Sequence, residues 1–235
     1  VWDRELADSG PAINQFINQK ARAEIAAENA APGPPCDCET LALRIIPEIY
    51  LHRLRANIVD LVEKSQTIDT YPAHEIENGD ILALSIYRRA PVKAVIRVTR
   101  TLRVGDVYFG VDKLNHLVGI GRRYYVRYLA DRALDIGESQ AVHNAIEWGI
   151  STENSILGRR INGIVSPADL EANYQGLQFA RRFCEGDRRY LRFDGQRWFL
   201  AQEGDITEFI TPAFDETFYP PLYDDDLRRA VLSVV

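Results

Sequence analysis

The sequence predicts an α+β fold, mostly helical, with small β-hairpins and an N-terminal helical extension. Three observations predict it. Apolar residues recur at three- and four-residue spacing over several long stretches, as in helices that bury one face. Two Asx-Gly dipeptides, Asn162-Gly163 and Asp194-Gly195, sit between short apolar runs, where such pairs turn hairpins. The composition, 46% hydrophobic and 26% charged over 235 residues, suits a chain that buries a core, as one large domain or two small ones.

The first helix is expected from Pro11 to Ala31, where Ile13, Phe16, Ile17 and Ile25 stand among Ala and charged residues, and "APGPP" (Ala31 to Pro35) stops it. A second helical stretch runs from about Glu39 to Lys64 on Leu41, Ile45, Ile49, Leu54, Ile58 and Leu61. Pro47 kinks it or marks a new start. Tyr71 to Gly79 reads as loop, and "DILALSIYRR" (Asp80 to Arg89) fits a helix or a strand. The β-branched alternation of "VKAVIRVTRTLRV" (Val92 to Val104) predicts a strand within it, then a turn at Gly105-Asp106 and another short strand. Helices are expected from Lys113 to Leu134 and from about Ser139 to Ser151. "LGRRINGIVS" is a hairpin with Asn162-Gly163 at its tip. Ser166 then caps a helix that reaches about Phe183, with Pro167 at its first position and Asp169 at its third, an Asp variant of the capping box. "YLRFDGQRWFLA" (Tyr190 to Ala201) forms a second hairpin, and a short amphipathic helix follows the acidic "DDD" near the end.

Charge and cysteine usage narrow the function classes. The net charge of -6 and pI of about 5.3 argue against a dedicated nucleic-acid binder. Most basic residues are Arg, several in pairs such as Arg122-Arg123 and Arg159-Arg160. Such pairs suit bidentate contacts with carboxylates or phosphates, or form solvated helix faces. No apolar run approaches the roughly 18 residues of a membrane span. The chain opens at Val1 and contains no Met; a removed export signal or trimming of the chain accounts for this, and the export signal is the preferred reading, which implies the periplasm or the outside of the cell. Cys36-Asp37-Cys38 is too tight for an ordinary metal knuckle. In an oxidising compartment one of that pair bonds Cys184; otherwise all three remain thiols.

HExxH, GxSxG and Walker sequences are absent, and "GIG" at Gly119 to Gly121 lacks the third glycine of a dinucleotide loop. No cofactor is implied. Two constellations can carry chemistry. In "VDKLNHLVGIGRRYY" (Val111 to Tyr125), Asp112 and His116 are four apart and share a helix face. Such a pair binds a metal, relays a proton or caps and orients the helix; a metal needs a third ligand that the sequence does not show, so none is assigned. Tyr124 and Tyr125 line a sugar groove or fill the core. In the second constellation, Glu153 follows a helix and precedes a hairpin. Burial against Trp148, Ile150 and Ile156 would raise its pKa and keep it protonated near neutrality, fit to protonate a leaving glycosidic oxygen; without that burial it is a solvated loop acid. Beyond the hairpin, Asp169, Asn173 and Gly176 form a narrow polar and small stripe on one helix, and the Gly implies close approach by a ligand or backbone.

This order of parts, a helix ending near a Glu, a small hairpin and a capped helix, resembles the lysozyme superfamily of glycosidases, whose catalytic Glu sits at that junction. More locally, "GVDKLNHLVGIGRRYY" and "SPADLEANYQG" are similar to a group of exported bacterial lysozyme-like proteins that carry D-K-x-x-H and S-x-A-D-[LM]-x-A-N-Y-x-G segments. Asp112, Lys113, His116, Ser166, Asp169, Ala172, Asn173, Tyr174 and Gly176 match, and Glu153 falls in the acidic position. Pro167 departs from the pattern, standing where an aromatic residue is expected. The resemblance spans about 70 residues, Gly110 to Phe179. It implies a lysozyme-like domain over 71–235 behind the helical extension of 1–70. It further implies hydrolysis of a β-1,4-linked amino-sugar glycan, most readily peptidoglycan, deacetylated in one branch of the group. Glu153 would be the general acid and Asp169 a second carboxylate, with Tyr124, Arg159, Arg160 and Asn173 as sugar contacts. The alternative is a non-catalytic envelope protein that uses the same scaffold to bind glycan or a protein partner.

Overall fold

A computed structural model describes residues 4–50, 57–90, 98–154 and 163–234. The fold is α+β and mostly helical, with small antiparallel pairs of strands. Helix α1 (Gly10–Ala30) buries Ile13, Ile17, Ala21 and Ile25, one residue per turn on a single face. After the Pro-rich stop comes α2 (Cys38–Tyr50), which keeps Pro47 inside it; α3 (Ile58–Lys64) follows under an Asn57 cap. The expected helix across 51–56 lies outside the described residues. Helix α4 (Asn78–Leu84) resolves the ambiguity of "DILALSIYRR" in favour of helix.

Strands β1 (Thr101–Val104) and β2 (Val107–Gly110) form the expected hairpin, with Val104 opposite Val107. Its far end delivers the chain into α5 (Asp112–Asn115), a π-helical turn (His116–Ile120) and α6 (Gly121–Ala133). The single helix expected over Lys113 to Leu134 is thus one continuous rod with a wider turn inside it. Helix α7 (Glu138–Thr152) follows. Strand β3 (Ile164–Val165) does not pair with its own upstream segment among the described residues: its partner is β6 (Leu222–Tyr223), near the C-terminal end. The other arm of the expected "LGRRINGIVS" hairpin lies outside the described residues. Gly163 has φ +69°, the positive value that a turn at Asn-Gly requires. Helix α8 (Pro167–Arg181) starts as expected, the Ser166 side chain accepting from the Asp169 backbone N–H. Strands β4 (Leu191–Phe193) and β5 (Trp198–Leu200) make the second hairpin, and α9 (Asp225–Leu232) is capped by Asp224.

One hydrophobic cluster runs through these elements. It joins Ile17 of α1, Ile45 of α2, Leu117 of the π turn, Tyr125 of α6 and Phe179 of α8. The segment 1–70, expected as an extension, shares this core with the rest. Cys38, at the start of α2, forms a disulfide with Cys184, just beyond α8, and Cys36 is free. The bond therefore ties the N-terminal helices to the helix that carries half of the site. No described helix is long and apolar enough to cross a membrane.

The π turn is held by backbone packing. A Cβ on Gly176 of α8 would lie 1.9 Å from the Leu117 carbonyl oxygen and 2.8 Å from the Gly121 Cα. The close approach that Gly176 implied is therefore another backbone's, and the second glycine of "GIG" serves this crossing. Gly176→Ala should destabilise the fold by about 1–3 kcal/mol, the usual cost of overpacking. Gly137→Ala, at a position with nothing within 4 Å, should leave stability nearly unchanged; urea unfolding of both variants checks this. Reducing the Cys38–Cys184 bond should cost about 2–4 kcal/mol, because it opens a loop of sequence separation 146. Unfolding midpoints measured with and without a phosphine reductant give that difference.

Candidate active site

Three segments converge on one buried cation. Asp112 opens α5 and Lys113 follows it. Asp169 stands in the first turn of α8. Glu216 comes from the loop after a 3₁₀ turn (Pro212–Phe214), and Ser166 from the cap of α8. The Lys113 Nζ lies 2.7 Å from Asp112 Oδ2, 2.7 Å from Asp169 Oδ1 and 2.9 Å from Glu216 Oε1. The Lys113 side chain is only 2% exposed. Burial opposes its charge, but the three carboxylates outweigh that and raise its pKa well above the ordinary lysine value. Burial likewise pushes Asp112 up, and Lys113 and His116 bring it below the ordinary value. Thr99 Oγ1 donates to the other Asp112 oxygen at 2.9 Å, and Ser166 Oγ donates to Glu216 at 2.8 Å. Two of the three carboxylates that face the ammonium are thus held by a second partner, Asp112 through its other oxygen and Glu216 through the same one.

His116 leads from this cluster to the core. Its Nε2 lies 3.4 Å from Asp169 Oδ2 and its Nδ1 3.1 Å from Asn173 Oδ1. The Asn173 amide also meets the Tyr124 hydroxyl, whose pKa burial pushes up to about 12, against Asn173 and with the help of Glu153. Asn173 is 2% and Tyr124 1% exposed. Both are expected sugar contacts; Asn173 is buried against Tyr124, while Tyr124, though almost covered, also lines the pocket beside α7. Tyr124 stands edge-on to Trp148 at 5.8 Å. A Cβ on Gly149 would fall 1.6 Å from its hydroxyl, so that glycine admits the ring against α7. Arg159 and Arg160, the other expected sugar contacts, lie outside the described residues.

Asp169 supplies the third ligand that the sequence did not show for Asp112 and His116: their ligating atoms fall within 4.8 Å of one another. The donor set suits a divalent cation by type and spacing. However, Lys113 Nζ already stands against both carboxylates of this trio, and its fixed positive charge repels a second cation from the same place.

Glu153 sits in a π-helical turn at the end of α7. It is 4% exposed. Burial, and after it the nearby Asp169, raise its pKa to about 7, against His116 and Lys113. Glu153 is thus buried, with Asp169 adding a contribution that the sequence did not reveal, while Ile156, one of the residues expected to cover it, lies outside the described residues. Ile146 and Ile150 of α7 and Tyr124 of α6 line a pocket of about 510 Å³, closed on the other side by Leu170 and Tyr174 of α8 and by Tyr219. Tyr174 lines this pocket rather than filling it. Pro167, which stands where an aromatic was expected, is also in its wall. Sequence reasoning quoted Lys113 without giving it a role and missed Glu216 altogether. The Lys113 signal was its place between Asp112 and His116; Glu216, about 50 residues beyond Asp169, carried none.

The buried acid has a measurable consequence. A carboxyl whose pKa rises on folding from the ordinary 4.5 to about 7 adds nothing unfavourable below pH 4.5, where it is protonated in both states. As pH rises through this window the unfolded chain ionises first and stability falls. Between pH 4.5 and pH 8, wild type should therefore lose about 3 kcal/mol relative to Glu153→Gln, which does not titrate. Urea unfolding of both proteins across that range measures the difference, and parallel curves would contradict the burial of the acid.

No protein-family model, curated protein or solved structure matches the chain.

Proposed function

We propose that this protein is a glycoside hydrolase that cleaves a β-1,4-linked amino-sugar glycan, most readily peptidoglycan, acetylated or deacetylated, in the periplasm or outside the cell. The observation that carries the reading is the paired state of two carboxyls. Glu153 is buried and retains its proton up to about pH 7, while Asp169 is ion-paired to Lys113 at 2.7 Å. A buried acid with a raised pKa beside a carboxyl held in an ion pair can serve as the proton donor and the charge-stabilising partner of glycosidic cleavage. Glu153 gives its proton to the leaving oxygen. Asp169 stabilises the positive charge that develops on the sugar as the glycosidic bond breaks, and water then adds to the anomeric carbon and gives up a proton that restores Glu153. The pocket beside α7 offers Tyr174 and Tyr219, and aromatic rings present apolar faces suited to the faces of sugars. The Cys38–Cys184 disulfide supports an oxidising compartment.

The near-complete cover over Glu153 favours a second reading, a non-catalytic envelope protein that binds glycan or a protein partner on the same scaffold. One assay separates the two. Wild type should release reducing ends from acetylated or deacetylated peptidoglycan. Glu153→Gln should lose that activity by about 10²–10⁴-fold, the usual contribution of a general acid, with glycan binding retained. Wild type that binds either glycan in pull-down but releases no reducing ends supports the binding protein. A Glu153→Gln variant as active as wild type moves the acid elsewhere, with Glu147 the next candidate.

A further inference from the structure

We propose that Lys113 is a positioning residue for the acid at Glu153: its ammonium ties Asp112, Asp169 and Glu216 into one cross-link and so sets the charge that the acid faces. The inference rests on the reading of Glu153 as the proton donor. Its basis is geometric. One Nζ lies within 2.9 Å of three carboxylates from three separate segments. Two of these carboxylates also accept a hydroxyl proton, Asp112 from Thr99 and Glu216 from Ser166. Ser166 is also the cap that holds the first turn of α8, where Asp169 stands. A shift of the lysine would therefore move Asp169, the negative group nearest in effect to Glu153.

The groups that act on Glu153 come from every element around it. Asp169 of α8 opposes its ionisation; His116 of the π turn and Lys113 of α5 favour it. Tyr124 of α6 is close enough for Glu153 to raise its hydroxyl pKa. With three carboxylates about a single ammonium, the cluster has more negative than positive charge. Removing the ammonium leaves Glu153 facing a more negative site, which makes it harder to ionise. Removing one of the carboxylates leaves the ammonium less compensated and makes it easier.

Carbon-13 NMR of protein with labelled glutamate side chains reads the Glu153 titration whether or not the protein turns over substrate; Glu153→Gln assigns the resonance. In Lys113→Met the midpoint should rise by about 1 on the pH scale, the low end of what a nearby charge produces. In Glu216→Gln, at a side chain 39% exposed, it should fall. An unmoved midpoint in a folded Lys113→Met protein overturns the proposal and leaves the lysine as a structural cross-link. If Lys113→Met does not fold, as judged by circular dichroism, Glu216→Gln decides: a lowered midpoint supports the proposal and an unchanged one overturns it. Wild type that releases no reducing ends would remove the hydrolase reading without touching this titration. An active enzyme whose midpoint ignores both variants would remove only the role given to Lys113.

Discussion

A lysine that is 2% exposed can stay charged only if the protein returns what water supplied, and here three carboxylates do so at 2.7–2.9 Å. Much of the architecture follows from that requirement. The β1–β2 hairpin must end where Asp112 can reach the ammonium. The cap of α8 must place Asp169 on one side, and the loop after Phe214 must return Glu216 to another. Taking away one member of a buried ionic group typically costs about 3–5 kcal/mol, because the remaining charges are stranded. The cluster therefore constrains the relative positions of three segments as strongly as an apolar contact would, and with more directional demand.

The π turn serves the same end. A wider turn between α5 and α6 lets His116 approach Asp169 and Asn173 while Leu117 and Val118 remain in the core. Such turns are uncommon and concentrate at functional sites. Its cost is offset by close backbone packing against α8, for which Gly176 and Gly121 leave room. The polar chain from Tyr124 through Asn173 and His116 to Asp169 then runs between α6, the π turn and α8. It links the apolar floor near Trp148 to the charged cluster.

The disulfide extends this frame to the N-terminal helices. Cys184 follows directly on α8, so a bond to Cys38 fixes the far end of the helix whose first turn carries Asp169. The segment before residue 70 is in this sense part of the scaffold of the site, since α1 and α2 supply core that α8 and the π turn pack upon.

Several features were legible from the residues alone because their causes are local. The helical faces, the Ser166-Pro167-Asp169 start, the turns at Gly105-Asp106 and Asp194-Gly195, and the place of Glu153 at a helix end each depend on neighbours a few positions away. What only the tertiary structure decided is non-local. Ile164–Val165 pairs with Leu222–Tyr223, because a strand takes whichever edge the chain brings to it. Cys38, rather than Cys36, reaches Cys184. Asn173, an expected sugar contact, is buried against Tyr124, which itself lines the pocket beside α7. Glu216 joins Lys113 across about 100 residues of chain. The protonation of Glu153 belongs to the same class: a carboxyl's charge is set by how much water it loses and which charges surround it, and a linear sequence records neither.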